Sequence, residues 1–455
     1  MSRPGRTLTL LDCVGIGING IVGSGIYLLL SGLAGRAGNA SVLGIFACGA
    51  LCILIALCFA ECGGMFDRNG GPYVYARAAF GPYVGFAVGW MSIATGVFAF
   101  AAVARAFATA LSALWPALSP ALFHLGSLAV TGEAVTAVLL IALLGGINYL
   151  GVKAGARTSD LLSFAKLAPL LLLTLVGLFF IRAEVVTGIF SSAPGQTQGY
   201  WGGVASAAFL AVFMLSGFEF VSVPAGEAKQ ARRNIPIAIV GSLLGATLLY
   251  CLLQTVALSV VPDLGSPQRT QPLIDTAAAV FGEGARRVFI LAALISMAGF
   301  CAGSALVGPR LFSALAEDGY LPRALTGTSR HGTPGPAILV ATSLAMVLAV
   351  VLGFASLVDV SNVALFAQYI PTCLAVLVLR RRMPDAERAY RLPGGPVLPL
   401  LAVGSSVILL YAAQPQAAEW IFSGQVLLTG AAVWGLTVLV RRTVGSKPAP
   451  VPPGS

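Results

Sequence analysis

The chain has 455 residues, of which 57% are hydrophobic and only 10% charged, with a mean hydropathy of +0.90. A soluble domain carries about 25% charged residues, so this composition excludes a soluble enzyme, a disordered protein and a DNA-binding protein; it describes a polytopic membrane protein. The formal net charge of +10 reads as Lys and Arg gathered in cytoplasmic loops, not as a patch for nucleic acid.

Stretches of about 20 mostly apolar residues are long enough to span a bilayer. In chain order they fall near 10–33, 41–66, 83–112, 129–150, 159–182, 201–226, 234–260, 285–316, 336–355, 358–380, 397–414 and 419–440. The expected fold class is therefore all-α, with twelve transmembrane helices. The start, Met-Ser-Arg-Pro-Gly-Arg, runs into the first span with no signal-peptidase site, so no cleavage is expected. Residues 443–455 are Pro-rich and polar and read as a disordered cytoplasmic tail.

Twelve spans put both termini on one side of the membrane, and charge says which. With the termini inside, twenty of the 27 Lys and Arg fall in cytoplasmic segments or at the cytoplasmic ends of spans; Arg36, Arg182, Arg269, Arg286 and Arg287 fall outside, and Arg105 and Lys166 lie within spans. That bias predicts cytoplasmic N- and C-termini in an inner (cytoplasmic) membrane. Cys13, Cys48, Cys52, Cys58, Cys62, Cys251, Cys301 and Cys373 all sit in apolar stretches and read as small buried side chains that let helices approach. No neighbouring His or Asp completes a metal site, His124 and His331 fall in loops, and no cofactor is expected.

Span 1 carries Gly15, Gly17, Gly20, Gly23 and Gly25 within eleven residues, each costing about 1 kcal/mol against Ala in a helix interior. Span 6 carries Ser216-Gly217-Phe218-Glu219 at mid-depth, then Pro224-Ala225-Gly226. The two spans are five apart, so each opens one half of a 5+5 inverted repeat with broken helices 1 and 6. The halves would be residues 1–182 and 199–382, with spans 11 and 12 appended over 396–442. Free N–H groups at such a break suit a carboxylate and free carbonyls an ammonium, which together are the head group of an amino acid.

Two charges stand at membrane depth. Lys166 lies about 10 Å into span 5 at ~1.5 Å per residue and reads as an interior ammonium on backbone carbonyls, with snorkelling to the interface as the alternative. From there its donors reach toward the span 1 break and toward hydroxyls on span 8, where Ser296 is one candidate. Glu219, mid-span 6, reads as a pairing or gating carboxylate. Arg105 and Glu61, nearer span ends, read as structural groups able to reach an interface.

Several motifs occur together and in order: Gly20-Ile21-Val22-Gly23-Ser24-Gly25-Ile26, Glu61-Cys62-Gly63-Gly64-Met65-Phe66, Gly70-Gly71-Pro72-Tyr73-Val74-Tyr75 and Gly226-Glu227-Ala228-Lys229 through Asn234-Ile235-Pro236. With Gly308-Pro309-Arg310-Leu311-Phe312 in span 8, they resemble the amino acid–polyamine–organocation superfamily over spans 1 to 10. The resemblance implies the LeuT-type fold, with substrate held between spans 1 and 6. By motif, Ser24 and Gly25 would donate to the substrate carboxylate, and Ile21 would offer its carbonyl to the amino group. Ser216 and Gly217 would serve from span 6, and Phe213 would be an aromatic wall or gate. Glu219 would match the family's span 6 gating acid, and Lys166 the span 5 lysine that occupies the place of a sodium ion. Phe213 stands where some antiporters of the superfamily carry Trp.

The function expected is secondary active, sodium-independent amino acid transport, by proton symport or exchange, with alternating access around spans 1 and 6; amino acid/amine antiport is the alternative. The partners expected are a small amino acid and the lipid bilayer. A membrane enzyme is disfavoured because no HExxH motif or paired His occurs and neither His lies in a span. A seven-span receptor has the wrong count, and a channel would need a filter repeat or ring of charges.

Overall fold

The computed structural model describes residues 8–66, 68–125, 128–151, 166–191, 199–388, 390–413 and 417–444. The first expected span is interrupted: α1 (Leu10–Ile21) is followed by the short helices α2 (Gly25–Leu28) and α3 (Leu30–Ala37). Then come α4 (Ser41–Gly63), α5 (Pro72–Phe80), α6 (Pro82–Ser112) and α7 (Gly132–Tyr149). Next are α8 (Lys166–Phe180), α9 (Ala183–Thr187) and α10 (Gly199–Leu215). The chain continues with α11 (Ala231–Val260), α12 (Pro272–Phe281) and α13 (Ala285–Glu317), then α14 (Gly335–Val351), α15 (Phe354–Arg382), α16 (Val397–Ala413) and α17 (Ala417–Val444).

Among the described residues nine helical stretches are long and apolar enough to cross a membrane, or ten if Lys166–Phe180 and Ala183–Phe190, bent by 98°, count as one. Each of the twelve expected spans holds a helix, but α14 and α16 have only 17 residues, the short end of the spanning range. Residues 159–165 of the fifth expected span and the tail beyond Val444 lie outside the described residues.

The chain is not wholly α. Ala121–Leu125 pairs antiparallel with Leu128–Thr131, so His124 lies on a strand and the fourth span starts at Gly132 instead of 129. Thr131 caps that helix by accepting the Ala134 N–H at 3.2 Å. The helices α5 and α12 were also not expected. Pro72 and Pro82 start α5 and α6 at a position whose N–H has no helical partner anyway.

Small residues set the interhelical distances. A Cβ on Gly49 of α4 would stand 2.2 Å from the Thr247 methyl of α11, and one on Gly44 would stand 2.9 Å from Ala207 of α10. Lipid offers no hydrophobic drive between helices, so this close van der Waals contact holds them together. The cysteines serve the same end: all but Cys251 are buried, and all eight are free thiols.

At the end of the bundle where α1 begins, charges are paired and buried. Leu8 bridges to the strand-like exit of span 6, its N–H on Glu227 O at 3.0 Å and its carbonyl accepting Lys229 N–H at 2.7 Å. Arg310 holds Glu227 in a two-pronged pair at 2.6 and 2.8 Å. Burial raises the Glu227 carboxyl, but the charge and hydrogen bonds of Arg310 outweigh it and leave the group below the ordinary carboxylate value. Asp318 takes Arg68 at 3.0 Å together with Arg77 and Tyr73. Glu61 does not reach an interface: it is 1% exposed and held by Arg380 at 2.8 and 2.6 Å, by the Leu392 N–H at 2.8 Å and by Arg388.

Candidate functional site

The two helix interruptions face each other backbone to backbone. After Ile21, Val22 leaves the helix with ψ 87°, and regular structure resumes only at Gly25. In span 6, α10 stops at Leu215, Gly217 adopts φ +105°, and Phe218–Ser222 continues as a tight 3-10 turn in place of a second α-helical half. A Cβ on Gly20 would lie 2.4 Å from Gly217 O, and one on Gly217 would lie 2.2 Å from Gly20 O. Only two glycines allow that approach. That contact is what the Gly20 position serves.

A cavity of about 240 Å³, counting the part open to solvent, lies at this crossing. The α1–α2 break supplies Gly20, Ile21, Gly23, Ser24 and Gly25 to its wall. Ala99 and Val103 come from α6, Phe213 and Ser216 from the end of α10, and Phe300 from α13. None of these side chains is charged.

Polar capacity gathers on the break. Ser24 is fully buried, and its hydroxyl has no hydrogen-bond partner among the described residues. The Tyr27 and Leu28 N–H groups donate to Ser24 O at 3.1 Å, which leaves those of Gly25 and Ile26 at the helix start, and α2 runs into α3 through the Leu29 N–H to Gly25 O bond at 2.9 Å, which extends the dipole behind them. A buried hydroxyl and free N–H groups at a helix start are what a carboxylate needs.

Ile21, Ser24, Gly25, Phe213 and Ser216 thus meet around one cavity, and two expectations need adjustment. The Ile21 carbonyl already accepts the Gly23 N–H at 3.0 Å and the Tyr250 hydroxyl at 3.1 Å. Gly217 lies behind the wall, with its N–H donated to Glu219 Oε2 at 2.9 Å. The Ser216 hydroxyl donates to Phe213 O at 3.0 Å, and the Phe213 ring meets Phe354 edge-on at 6.3 Å.

Lys166 is fully buried, which excludes snorkelling. Its ammonium donates to the carbonyls of Val22 and of Asn19, the latter at 3.4 Å. The Ser296 hydroxyl of α13 reaches the same break, at 3.3 Å from both Val22 O and Gly23 O. The carbonyls freed where α1 ends are therefore gathered by a cation from α8 and a hydroxyl from α13. On the other side of the crossing, Glu219 Oε2 also accepts the Tyr369 hydroxyl at 3.0 Å, and Phe218 stacks on Tyr369 at 5.5 Å. Glu219 so fastens the span 6 interruption to α15. Arg105 sits half-buried on α6 outside this cluster. Among the described residues no group of three or more His, Cys, Asp or Glu is placed to hold a metal.

Tyr250, Tyr369, Phe300, Ala99 and Val103 were not legible as site residues. A tyrosine inside an apolar span is a faint signal of a buried hydroxyl seeking a partner; Ala99 and Val103 carry none.

Because Glu219 touches the interruption and α15 but not the cavity wall, its loss should act on turnover. Glu219→Gln is expected to lower maximal uptake at least about 10-fold while changing substrate affinity less than about 3-fold, and Tyr369→Phe should do the same more weakly. Initial-rate uptake and equilibrium binding on one preparation separate the two quantities. A large affinity loss with normal turnover would put Glu219 in the substrate pocket.

Paired helix interruptions enclosing a small uncharged cavity, in a bundle of long apolar helices, define a membrane transporter. The amino acid permease family profile matches residues 8–439, and the chain belongs to that family, whose members are transporters and not enzymes. Three Bacillus subtilis proteins are each 26% identical to it: the methylthioribose transporter (89% of this chain, 88% of the relative), the branched-chain amino acid permease BcaP (88% and 86%) and the serine/threonine exchanger SteT (96% and 94%).

Proposed function

We propose that this protein is a secondary active transporter that carries amino acids across the cytoplasmic membrane without sodium, by proton symport or exchange. The observation that carries the reading is the cavity at the crossing of the two helix interruptions, where the buried, unpartnered Ser24 hydroxyl faces an uncharged wall. In this reading the substrate carboxylate takes the N–H groups at the start of α2 and the Ser24 hydroxyl. The amino group takes carbonyl lone pairs at the two interruptions, sharing Ile21 O with or displacing Tyr250. Lys166 and Glu219, each engaged behind one interruption, hold the two broken spans to the scaffold and are the groups whose release accompanies reorientation.

The topology proposed is twelve spans in a LeuT-type 5+5 inverted repeat, with both termini cytoplasmic. The concentration of Arg and Lys at the end where α1 begins supports that orientation by the positive-inside rule. Exchange gains support from SteT, a relative named as an exchanger. Purified protein in proteoliposomes tests the whole reading. Labelled amino acid should enter, more slowly when excess unlabelled amino acid competes from outside. A response to an imposed pH gradient in empty vesicles marks symport, and a requirement for internal amino acid marks exchange. Failure to take up any amino acid under either condition would overturn the proposal.

A further inference from the structure

The amino acid reading leaves the substrate's side chain unspecified, and the apolar part of the cavity wall speaks to it. We infer that the wall formed by Ala99, Val103 and Phe300 selects small, uncharged aliphatic amino acids of up to about valine size, with Val103 setting the upper limit. This inference rests on the function proposed above and adds the class of substrate.

The polar groups of the cavity lie on one side. Ser24 and the start of α2 face it from the break, and the Ser216 hydroxyl is already committed to Phe213 O at 3.0 Å. The α6 part of the wall has none: Ala99 and Val103 are four residues apart on α6, hence neighbours on one helix face, and both line the cavity and are buried. A substrate whose head group is held at the Ser24 hydroxyl and the start of α2 has Ala99, Val103 and Phe300 as the apolar lining for its side chain.

That wall is not free to retreat. The Phe300 ring is confined between the break and span 6: a Cβ on Gly23 would stand 3.0 Å from its Cδ2, and the Phe220 ring lies 6.3 Å away. The α6 backbone is packed along α13 and α15. A side chain longer than a short aliphatic branch would meet the confined Phe300 ring or the packed α6 backbone.

Charge is excluded for a separate reason. No charged side chain lines the cavity. The two nearest candidates are engaged elsewhere, Lys166 on the Asn19 and Val22 carbonyls and Glu219 on the Gly217 N–H and Tyr369. A lysine or glutamate side chain would therefore enter dehydrated and unpaired. Small hydroxyl-bearing side chains are rejected weakly, because an apolar pocket discriminates poorly against an added hydroxyl, by about 100-fold at most.

The test is uptake of labelled L-alanine into proteoliposomes, in competition with unlabelled glycine, alanine, valine, leucine, phenylalanine, lysine and glutamate. Glycine, alanine and valine should compete at concentrations at least about 10-fold below leucine and phenylalanine, as expected when a methylene too many is worth about 10–200-fold. Lysine and glutamate should be weaker still. Val103→Ala only removes atoms from the wall, and a gain of leucine transport cannot come from misfolding; leucine should then compete within about 3-fold of alanine. Ala99→Val should act oppositely, losing valine while retaining glycine. Leucine, phenylalanine or lysine competing as well as alanine in the unsubstituted protein would overturn the inference and leave amino acid transport standing, as would a Val103→Ala profile identical to the original. If no amino acid enters or competes, the transport reading falls and this inference with it.

Discussion

Replacing Gly217 by alanine is expected to abolish substrate binding and uptake, by at least about 100-fold. Two costs coincide there. A non-glycine residue pays about 1–2 kcal/mol in a left-handed conformation, and Gly217 has φ +105°. The added Cβ would also stand 2.2 Å from Gly20 O and 2.3 Å from Gly20 C. These are backbone atoms with no rotamer to yield, so the two interruptions must move apart and the cavity between them loses its shape. Gly25→Leu attacks the same place from the other break, where even a Cβ would lie 2.8 Å from Met214 Cγ and 3.0 Å from Met214 Cα. Gly146→Ala, on a helix where a Cβ meets nothing within 4 Å, is the control and should transport normally. Binding measured beside thermal stability in detergent distinguishes a lost site from a lost fold. A Gly217→Ala protein that binds amino acid with unchanged affinity would place the site elsewhere.

The second large effect concerns Lys166. Lys166→Ala is expected to reduce uptake at least about 30-fold, and uptake by the unsubstituted protein should persist when choline replaces sodium. The ammonium already occupies the carbonyls of Val22 and Asn19, the kind of oxygen cluster a sodium ion would need. A second monovalent cation about 4 Å away would be repelled by about 4 kcal/mol at an effective dielectric of 20. Removing the lysine frees those carbonyls and leaves the Ser296 and Tyr250 hydroxyls to join the α1 break to the scaffold. Lys166→Met separates the contributions, since it keeps most of the packing volume but none of the charge. If Met restores transport, the ammonium is not what matters; strict sodium dependence, or full activity of Lys166→Ala, would defeat the reading altogether.

Much of the site was legible because membrane depth makes certain residues expensive. A lysine and a glutamate in apolar spans must find partners, and a run of five glycines weakens a helix wherever it sits. Those local costs pointed to both interruptions and to Lys166 and Glu219, while Ser24 entered through the motif resemblance. The same reasoning read Glu61 as structural but could not name what holds it, because its partners Arg380, Arg388 and the Leu392 N–H come from a distant part of the chain. Distance along the sequence hid the pairing, and a span-end acid alone looks no different from one that reaches water.

Composition and hydropathy by themselves determined the class of protein, the succession of apolar helices and the weak points in spans 1 and 6, since each follows from transfer cost and helix propensity summed over neighbouring residues. The short strand pair before α7 escaped that reasoning, because its register depends on pairing between segments and not on apolar length. The cavity was decided by tertiary structure alone. Gly20 could meet Gly217, Tyr250 could take the Ile21 carbonyl, and Ala99 and Val103 could become a wall only once four helices had packed to backbone contact. An alanine or a valine in a membrane helix has the same transfer energy whether it faces lipid, another helix or a substrate, so its role resides in the packing and not in the residue.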